Sequence, residues 1–185
     1  ALAEHSSALA NQRNDVSLIR YSGRFAPSPT GPLHFGSLLT AVASYCDAKA
    51  NQGTWLVRIE DTDIPRIYPN SEAHILACID AFQFQPDAEI IFQKDRLAYY
   101  EQVLEQLKTT HAIYACQCTR KILGSNHIYA GTCRELNLDF SQQAIRLKVS
   151  DQRICFEDRL QGQQCSNLQH DLGDFILKRR DGIIS

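Results

Sequence analysis

RFAPSPTGPLHFGS, residues 24–37, sets three prolines and two glycines around one histidine and then runs straight into helical periodicity. The residues before it, LIRYSG (18–23), suit a short strand. After it, Phe35, Leu38, Leu39 and Val42 recur at helical spacing, with Cys46 one turn further on. The stretch therefore predicts a strand–loop–helix junction whose loop is stiffened by proline. A stiff loop over a helix start suits phosphate, because unpaired backbone N–H groups and the helix dipole both favour anions. Gly36 has no side chain, which leaves a flat ligand room to approach the helix backbone.

Working outward, strands and helices alternate. TWLVRIE (54–60) predicts a strand entered through Gly53, and NSEAHILACIDAF predicts a helix capped by Asn70 or Ser71, with Ile75, Leu76, Ile79 and Phe82 on one face. EIIF is a short strand, DRLAYYEQVLEQLK a helix striped by Leu97, Tyr100, Leu104 and Leu107, and AIYAC a further strand. This order predicts an α/β domain with a mainly parallel sheet. From Cys116 to about Asp171 the elements shorten and include AIRLKV, which reads as an insertion with a β-hairpin; DFILKRRDG reads as a return to the main sheet.

Composition narrows the classes. With 185 residues, 44% of them hydrophobic and 22% charged, the chain can bury one core and a small appendage. A net charge of -2 with no basic run excludes a broad nucleic-acid-binding surface, so any RNA contact is local. No apolar run is long enough for a membrane helix, and residues 1–19 form a polar lead-in, disordered or left over from cloning, without the pattern of a signal peptide. The expected compartment is the cytoplasm. The chain begins with Ala and has no Met, so the native start is expected to lie elsewhere. Seven cysteines, an odd number without a secretory signal, argue against a disulfide framework. Cys46 and Cys78 read as small core residues, and Cys155 and Cys165 flank the hairpin without an assigned role.

Two constellations carry chemistry. Ligands of open α/β sheets sit beyond the carboxyl ends of the strands. Arg24 and Glu60 stand at two such ends and suit a zwitterion, the guanidinium facing a carboxylate and the carboxylate an ammonium. The competing reading is a structural ion pair with each other or with Asp61 and Asp63. The second constellation is CQCTRKILGSNHIYAGTC, in which Cys116 and Cys118 form C-x-C and Tyr129 and Cys133 form Y-x3-C. Thiolates are good zinc ligands, and a closed structural site needs a fourth donor. Tyr129 qualifies if a cation displaces its proton, and His127 is the ordinary alternative. Reduced thiols without metal are the competing reading.

RFAPSPTGPLHFGSLLTA followed by GTWLVRIEDTD resembles the signature of class I aminoacyl-tRNA synthetases of the glutamyl type, and the likeness runs from about Tyr21 to Ser185. His34, Phe35, Gly36 and Ser37 stand where that family carries HIGH, with Ser in place of the second His. The resemblance implies a Rossmann-type catalytic domain in which Arg24, Phe25, Ala26, Pro27, Ser28 and Glu60 hold glutamate. It also implies that His34, Gly36 and Ser37 face ATP, with His34 and Ser37 as the catalytic candidates. Magnesium would accompany ATP.

The C-x-C and Y-x3-C arrangement is similar to a truncated branch of the family that passes L-glutamate to queuosine in the anticodon loop of tRNA(Asp). That likeness implies one structural zinc per chain on Cys116, Cys118, Tyr129 and Cys133. SLLTAVASY in the first helix fits this branch, whereas PRIYPNSEA departs from the usual glycine-containing turn. The chain stops after DGIIS, before the family's lysine loop and second carboxylate-binding residue, so it reads as an N-terminal portion inactive alone. The expected organisation is a lead-in (1–19), the first half of the nucleotide fold (20–115), a zinc-bearing insertion (116–171) and a truncated return to the sheet (172–185), in a monomer that does not touch membranes. Arg146 and Lys148, on the outward face of AIRLKV, are candidate RNA contacts or a solvated strand face. The alternatives are a portion of a conventional glutamyl-tRNA synthetase and a non-catalytic zinc-containing RNA-binding or regulatory module.

Overall fold

A computed structural model describes residues 21–119, 122 and 128–184. The lead-in 1–19 and His127 lie outside the described residues. The chain divides into two compact units, one of residues up to Ile59 with Ile67–Ile91, the other of Glu60–Arg66 with the residues from Phe92 onward.

The first unit opens with β1 (Ser22–Phe25), α1 (Phe35–Ala50), β2 (Thr54–Ile59) and α2 (Ser71–Ala81). β1 and β2 pair in parallel, with Arg24 opposite Leu56 and Phe25 opposite Val57, and β3 (Ile91–Phe92) completes the order β1-β2-β3. Parallel neighbours need a crossover, which α1 supplies. Along β2, Trp55, Val57 and Ile59 are buried and alternate with half-buried residues, the period-two signature of a strand. Trp55 is the centre of this core. It packs against Phe25, Tyr45 and Phe84, and its indole N–H donates to Ser44 Oγ at 2.9 Å.

Small residues make the helix–sheet contact. A Cβ on Gly23 would stand 2.8 Å from the Ser44 carbonyl oxygen and 3.0 Å from Ala48 Cβ, so β1 can approach α1 this closely only with glycine there. This geometry corrects the predicted face of α1. Ala41 and Ala48 are buried, whereas Phe35, Leu39 and Cys46 are exposed, because close approach selects small side chains over large ones. α2 buries Ile75 and Ile79 as expected, while Phe82 is half exposed and stacks on Phe84. Asn70 holds the cap position of α2 with φ of 63° but gives no side-chain capping bond.

The second unit contains α3 (Leu97–Thr109), β4 (Ile113–Cys116), β5 (Ala144–Leu147) and β8 (Ile176–Lys178), the strands forming an antiparallel sheet in the order β4-β5-β8. Here the pairing differs from the expectation. AIYAC and DFILKRRDG do not extend a parallel sheet, and AIRLKV is the central strand between them, not an arm of a hairpin. Both faces of this sheet are covered. Ile113 and Ile145 pack with Leu104 of α3 on one side, and Tyr114, Cys116 and Ala144 gather with Tyr129 and Cys133 on the other.

The hairpin of this unit is β6 (Arg153–Asp158) with β7 (Gly162–Asn167), followed by the short α4 (Leu168–Asp171). Asp158 accepts the N–H groups of Leu160 and Gln161 at 2.9 and 2.8 Å to close its turn, which holds the Asp158 carboxyl below the usual range. Cys155 and Cys165 face each other across this ladder and form a disulfide, which corrects the expectation against disulfides drawn from the cysteine count: the antiparallel register sets the two side chains opposite each other. Among the described residues no helix is long and apolar enough to cross a membrane.

Candidate active site and metal centre

The loop between β1 and α1 folds as its prolines dictate. Pro27 and Pro29 are buried, Thr30 N–H closes a tight turn onto Ser28 O at 2.9 Å, and Tyr68 N–H ties Pro29 O at 2.9 Å. Phe25, Ala26, Pro27, Ser28, Leu33, His34, Ser37 and Thr40 thereby line one open cavity of about 450 Å³. Seven of the predicted site residues belong to this region: Phe25 to Ser28, His34 and Ser37 line the cavity, and Gly36 lies between the last two.

His34 is the N-cap of α1. Its Nδ1 accepts the Ser37 N–H at 3.2 Å, so the proton of the neutral ring sits on Nε2, which lies 3.2 Å from Ser37 Oγ. Gly36 makes room for this ring, since a Cβ there would come within 3.1 Å of His34 Cε1. The first turn of α1 has no acidic residue, so its own side chains do not neutralise the positive helix end. An anion in the cavity would meet that end and a polarisable imidazole.

Arg24 is the exposed third residue of β1. Glu60 directly follows β2 and opens the second unit. The carboxylates proposed as alternative partners are engaged elsewhere in that unit. Asp61 is fully buried and accepts Lys94 N–H at 2.9 Å, with Lys94 Nζ at 3.1 Å, while Asp63 pairs with Arg179 at 3.3 Å.

The second site is built on β4 and the following turns. Cys116 ends β4, Cys118 lies two residues on, and Tyr129 and Cys133 come from one turn, with Cys133 N–H donating to the Tyr129 oxygen at 2.9 Å. The three sulfurs lie within 4.8 Å of one another. Cys118 and Cys133 are 3.5 Å apart at sulfur, and the Tyr129 oxygen is 3.4 Å from Cys116 Sγ and 3.7 Å from Cys118 Sγ. A tetrahedral zinc with ligand distances of about 2.3 Å for sulfur and about 2.0 Å for oxygen has edges of about 3.8 and 3.5 Å. The Cys118–Cys133 edge and both Tyr129–sulfur edges lie within about 0.3 Å of those values, so the three thiols, with the phenol beside them, form a group that could hold a metal ion.

Burial and the neighbouring thiols raise the Tyr129 phenol, and burial raises the Cys118 thiol. For Cys133, burial is outweighed by hydrogen bonds from Tyr129 and the Gln117 backbone, which hold the thiol below its ordinary value. A dication here must displace protons, as in any thiolate site.

The structure also brings in residues that the sequence reading missed or misplaced. Arg146 is 5% exposed, not on an outward face. Its Nε donates to Cys116 Sγ at 3.2 Å, its Nη1 donates to the Asp174 carbonyl, and its guanidinium carbon lies 3.8 Å from the Tyr129 ring centroid. Lys148 is half-buried, its N–H bonded to Ala112 O at 2.8 Å. Beneath the cluster, buried Asp174 accepts from Arg134 through Nε at 2.9 Å and through Nη2, from Tyr114 Oη at 2.6 Å and from Val149 N–H at 2.9 Å. Gly173 forms a bridge with Tyr129, and a Cβ on it would meet the Tyr129 backbone at 2.6 Å. DFILKRRDG carried the signal for Asp174, but only as part of a motif.

The model for the catalytic domain of class I tRNA synthetases (E and Q) matches residues 21–183. The chain belongs to this synthetase family. The synthetase chain is 79% identical over 165 residues to a glutamyl-Q tRNA(Asp) synthetase of Acinetobacter baylyi, covering 89% of this chain and 56% of that protein. A glutamyl-Q tRNA(Asp) synthetase of Neisseria gonorrhoeae is 47% identical over 173 residues, 88% of this chain and 59% of that protein. The synthetase chain thus spans little more than half the length of these curated relatives. Among solved structures, a glutamate tRNA ligase of Elizabethkingia meningosepticum in complex with its amino acid aligns with a TM-score of 0.75 at 29% identity, over 90% of this chain and 40% of that one.

Proposed function

We propose that the chain is the nucleotide-binding portion of an enzyme that activates L-glutamate with ATP and transfers it to queuosine in the anticodon loop of tRNA(Asp). The observation that carries this reading is the cavity at the N-terminus of α1, lined by the Phe25–Ser28 loop, His34 and Ser37. The names and identities of the relatives support the choice of substrate and acceptor.

In the activation step a glutamate carboxylate oxygen attacks the α-phosphorus of ATP, a P–O bond to the β-phosphate breaks, and pyrophosphate leaves. Negative charge builds on the phosphate oxygens, so positioning and electrostatic stabilisation suffice without a protein nucleophile. His34 Nε2–H and the N-terminal amides of α1 are the donors assigned to those oxygens. Ser37 holds the imidazole in the required tautomer through its backbone N–H. Gly36 keeps the ATP-facing surface of α1 low. Arg24, the loop Phe25–Ser28 and Glu60 are assigned to glutamate, and magnesium enters with ATP as part of the substrate. Within this reading 20–115 supplies the nucleotide fold and 116–171 the zinc-bearing insertion. One zinc on Cys116, Cys118, Tyr129 and Cys133 is structural, because four protein ligands leave no open coordination position.

The test uses the full-length protein with two assays, glutamate-dependent pyrophosphate exchange and glutamate transfer to tRNA. The expected result is exchange with glutamate, with transfer to queuosine-bearing tRNA(Asp) and none to tRNA(Glu). Charging of tRNA(Glu) would move the assignment to a conventional glutamyl-tRNA synthetase, and absence of exchange with any amino acid would leave the non-catalytic reading.

A further inference from the structure

Arg146 presents an unusual charge balance. It is 5% exposed, and a guanidinium taken this far from water needs a compensating anion. Among the described residues no ion pair joins it to a carboxylate; the Asp174 carboxylate oxygens are occupied by Arg134, Tyr114 and Val149, and Arg146 reaches only the Asp174 carbonyl. Its remaining partners are Cys116 Sγ at 3.2 Å and the face of Tyr129 at 3.8 Å. Both partners carry full negative charge when they ligate a metal. Three thiolates and one phenolate around a dication leave a net charge of minus two in a buried site, and one guanidinium halves it.

We propose that Arg146 is the charge-compensating positioning residue of the metal centre. It orients Cys116 through an N–H···S bond and holds the Tyr129 ring by stacking while balancing the excess charge of a Cys3Tyr ligand set. The inference rests on the zinc reading above and extends it to a residue that touches no metal. Two properties of arginine suit the role. Its planar fork donates to sulfur and to a carbonyl at once, and its flat face stacks on an aromatic ring; lysine offers charge without either. The position in the strand suits it too, since Arg146 stands opposite Tyr114 in the β4–β5 register, beside the strand end that carries Cys116. Removing an outer partner of a metal ligand typically weakens metal binding by about 10–100-fold.

The experiment measures zinc affinity by chelator competition in the full-length protein for wild type, Arg146→Gln and Arg146→Lys, each also combined with Tyr129→Phe. Arg146→Gln should bind zinc about 10–100-fold more weakly than wild type, with Arg146→Lys between them. Part of that loss should vanish in the Tyr129→Phe background, where the phenolate charge is already gone; a merely structural role would give the same loss in both backgrounds and would overturn the inference. Affinity of Arg146→Gln within about twofold of wild type would also overturn it. Wild type without zinc would instead defeat the zinc reading itself, and the inference with it. If the variants do not fold, wild-type protein loaded with NMR-active cadmium decides. The Arg146 Nε–H resonance should exchange slowly and couple to the metal through Cys116 sulfur, and absence of both effects would refute the role.

Discussion

Asp174→Ala is the sharpest test of what holds the second unit together. The carboxylate is 2% exposed and collects four donors: two from Arg134, the Tyr114 hydroxyl and the Val149 amide. Truncation leaves the Tyr114 hydroxyl and the Val149 N–H buried without a partner, each worth about 1–3 kcal/mol. The Arg134 side chain is 28% exposed, so water can solvate part of it and its share is smaller. The expected loss is about 3–5 kcal/mol, the range for breaking one side of a buried charge pair.

The assay matters. Trp55, the single tryptophan, lies in the first unit and would be a poor reporter. Amide hydrogen exchange along β4 and β5 reports directly. A fall below about 1 kcal/mol in the opening free energy of those amides would refute the reasoning.

The pH dependence follows from the same geometry. Burial opposes ionisation of Asp174, but its donors outweigh burial and hold the carboxyl below the usual range. A depressed folded value means that the stabilisation is fully present above about 3.9, the unfolded value, and is lost as pH falls through the folded one. The gap between wild type and Asp174→Ala should therefore be full at neutral pH and shrink in acid below about 3.9.

Gly173→Ala should displace the backbone at Tyr129, because the new methyl meets its atoms at 2.6 and 2.7 Å and the residue has φ of +71°. Zinc titration should show weaker binding together with a stability loss of about 1–3 kcal/mol, and unchanged values would show that the bridge to Tyr129 is dispensable. Cys155→Ser opens the bond across the β6–β7 ladder, whose cysteines are 10 residues apart. Local opening should become easier by about 2–3 kcal/mol, read as faster tryptic cleavage at Arg153 and Arg159 with β4 and β5 amide exchange unaltered. Reduction of wild type should mimic the variant, and equal protease resistance would mean that the ladder alone holds the hairpin.

Local chemistry was legible in the order of residues. The prolines and Gly36 around His34 announced a loop over a helix start, because proline restrictions and capping act within a few residues. C-x-C and Y-x3-C offered three thiols, with Tyr129 or His127 as a fourth donor, and the three sulfurs do lie together with the Tyr129 oxygen beside them, since short turns bring near neighbours in sequence together. Decisions made by distant segments were not legible. Alternation in AIRLKV predicts one buried face, yet α3 covers one side of β5 and the Tyr129–Cys133 turn the other, so Arg146 is buried and serves the cluster. The face of α1 followed from how closely Gly23 lets the strand approach, a constraint exerted by a different element. The Cys155–Cys165 bond depended on hairpin register, and the direction of β4 and β8 on strand pairing. Periodicity reports what one segment prefers, whereas burial and pairing belong to the segments packed against it.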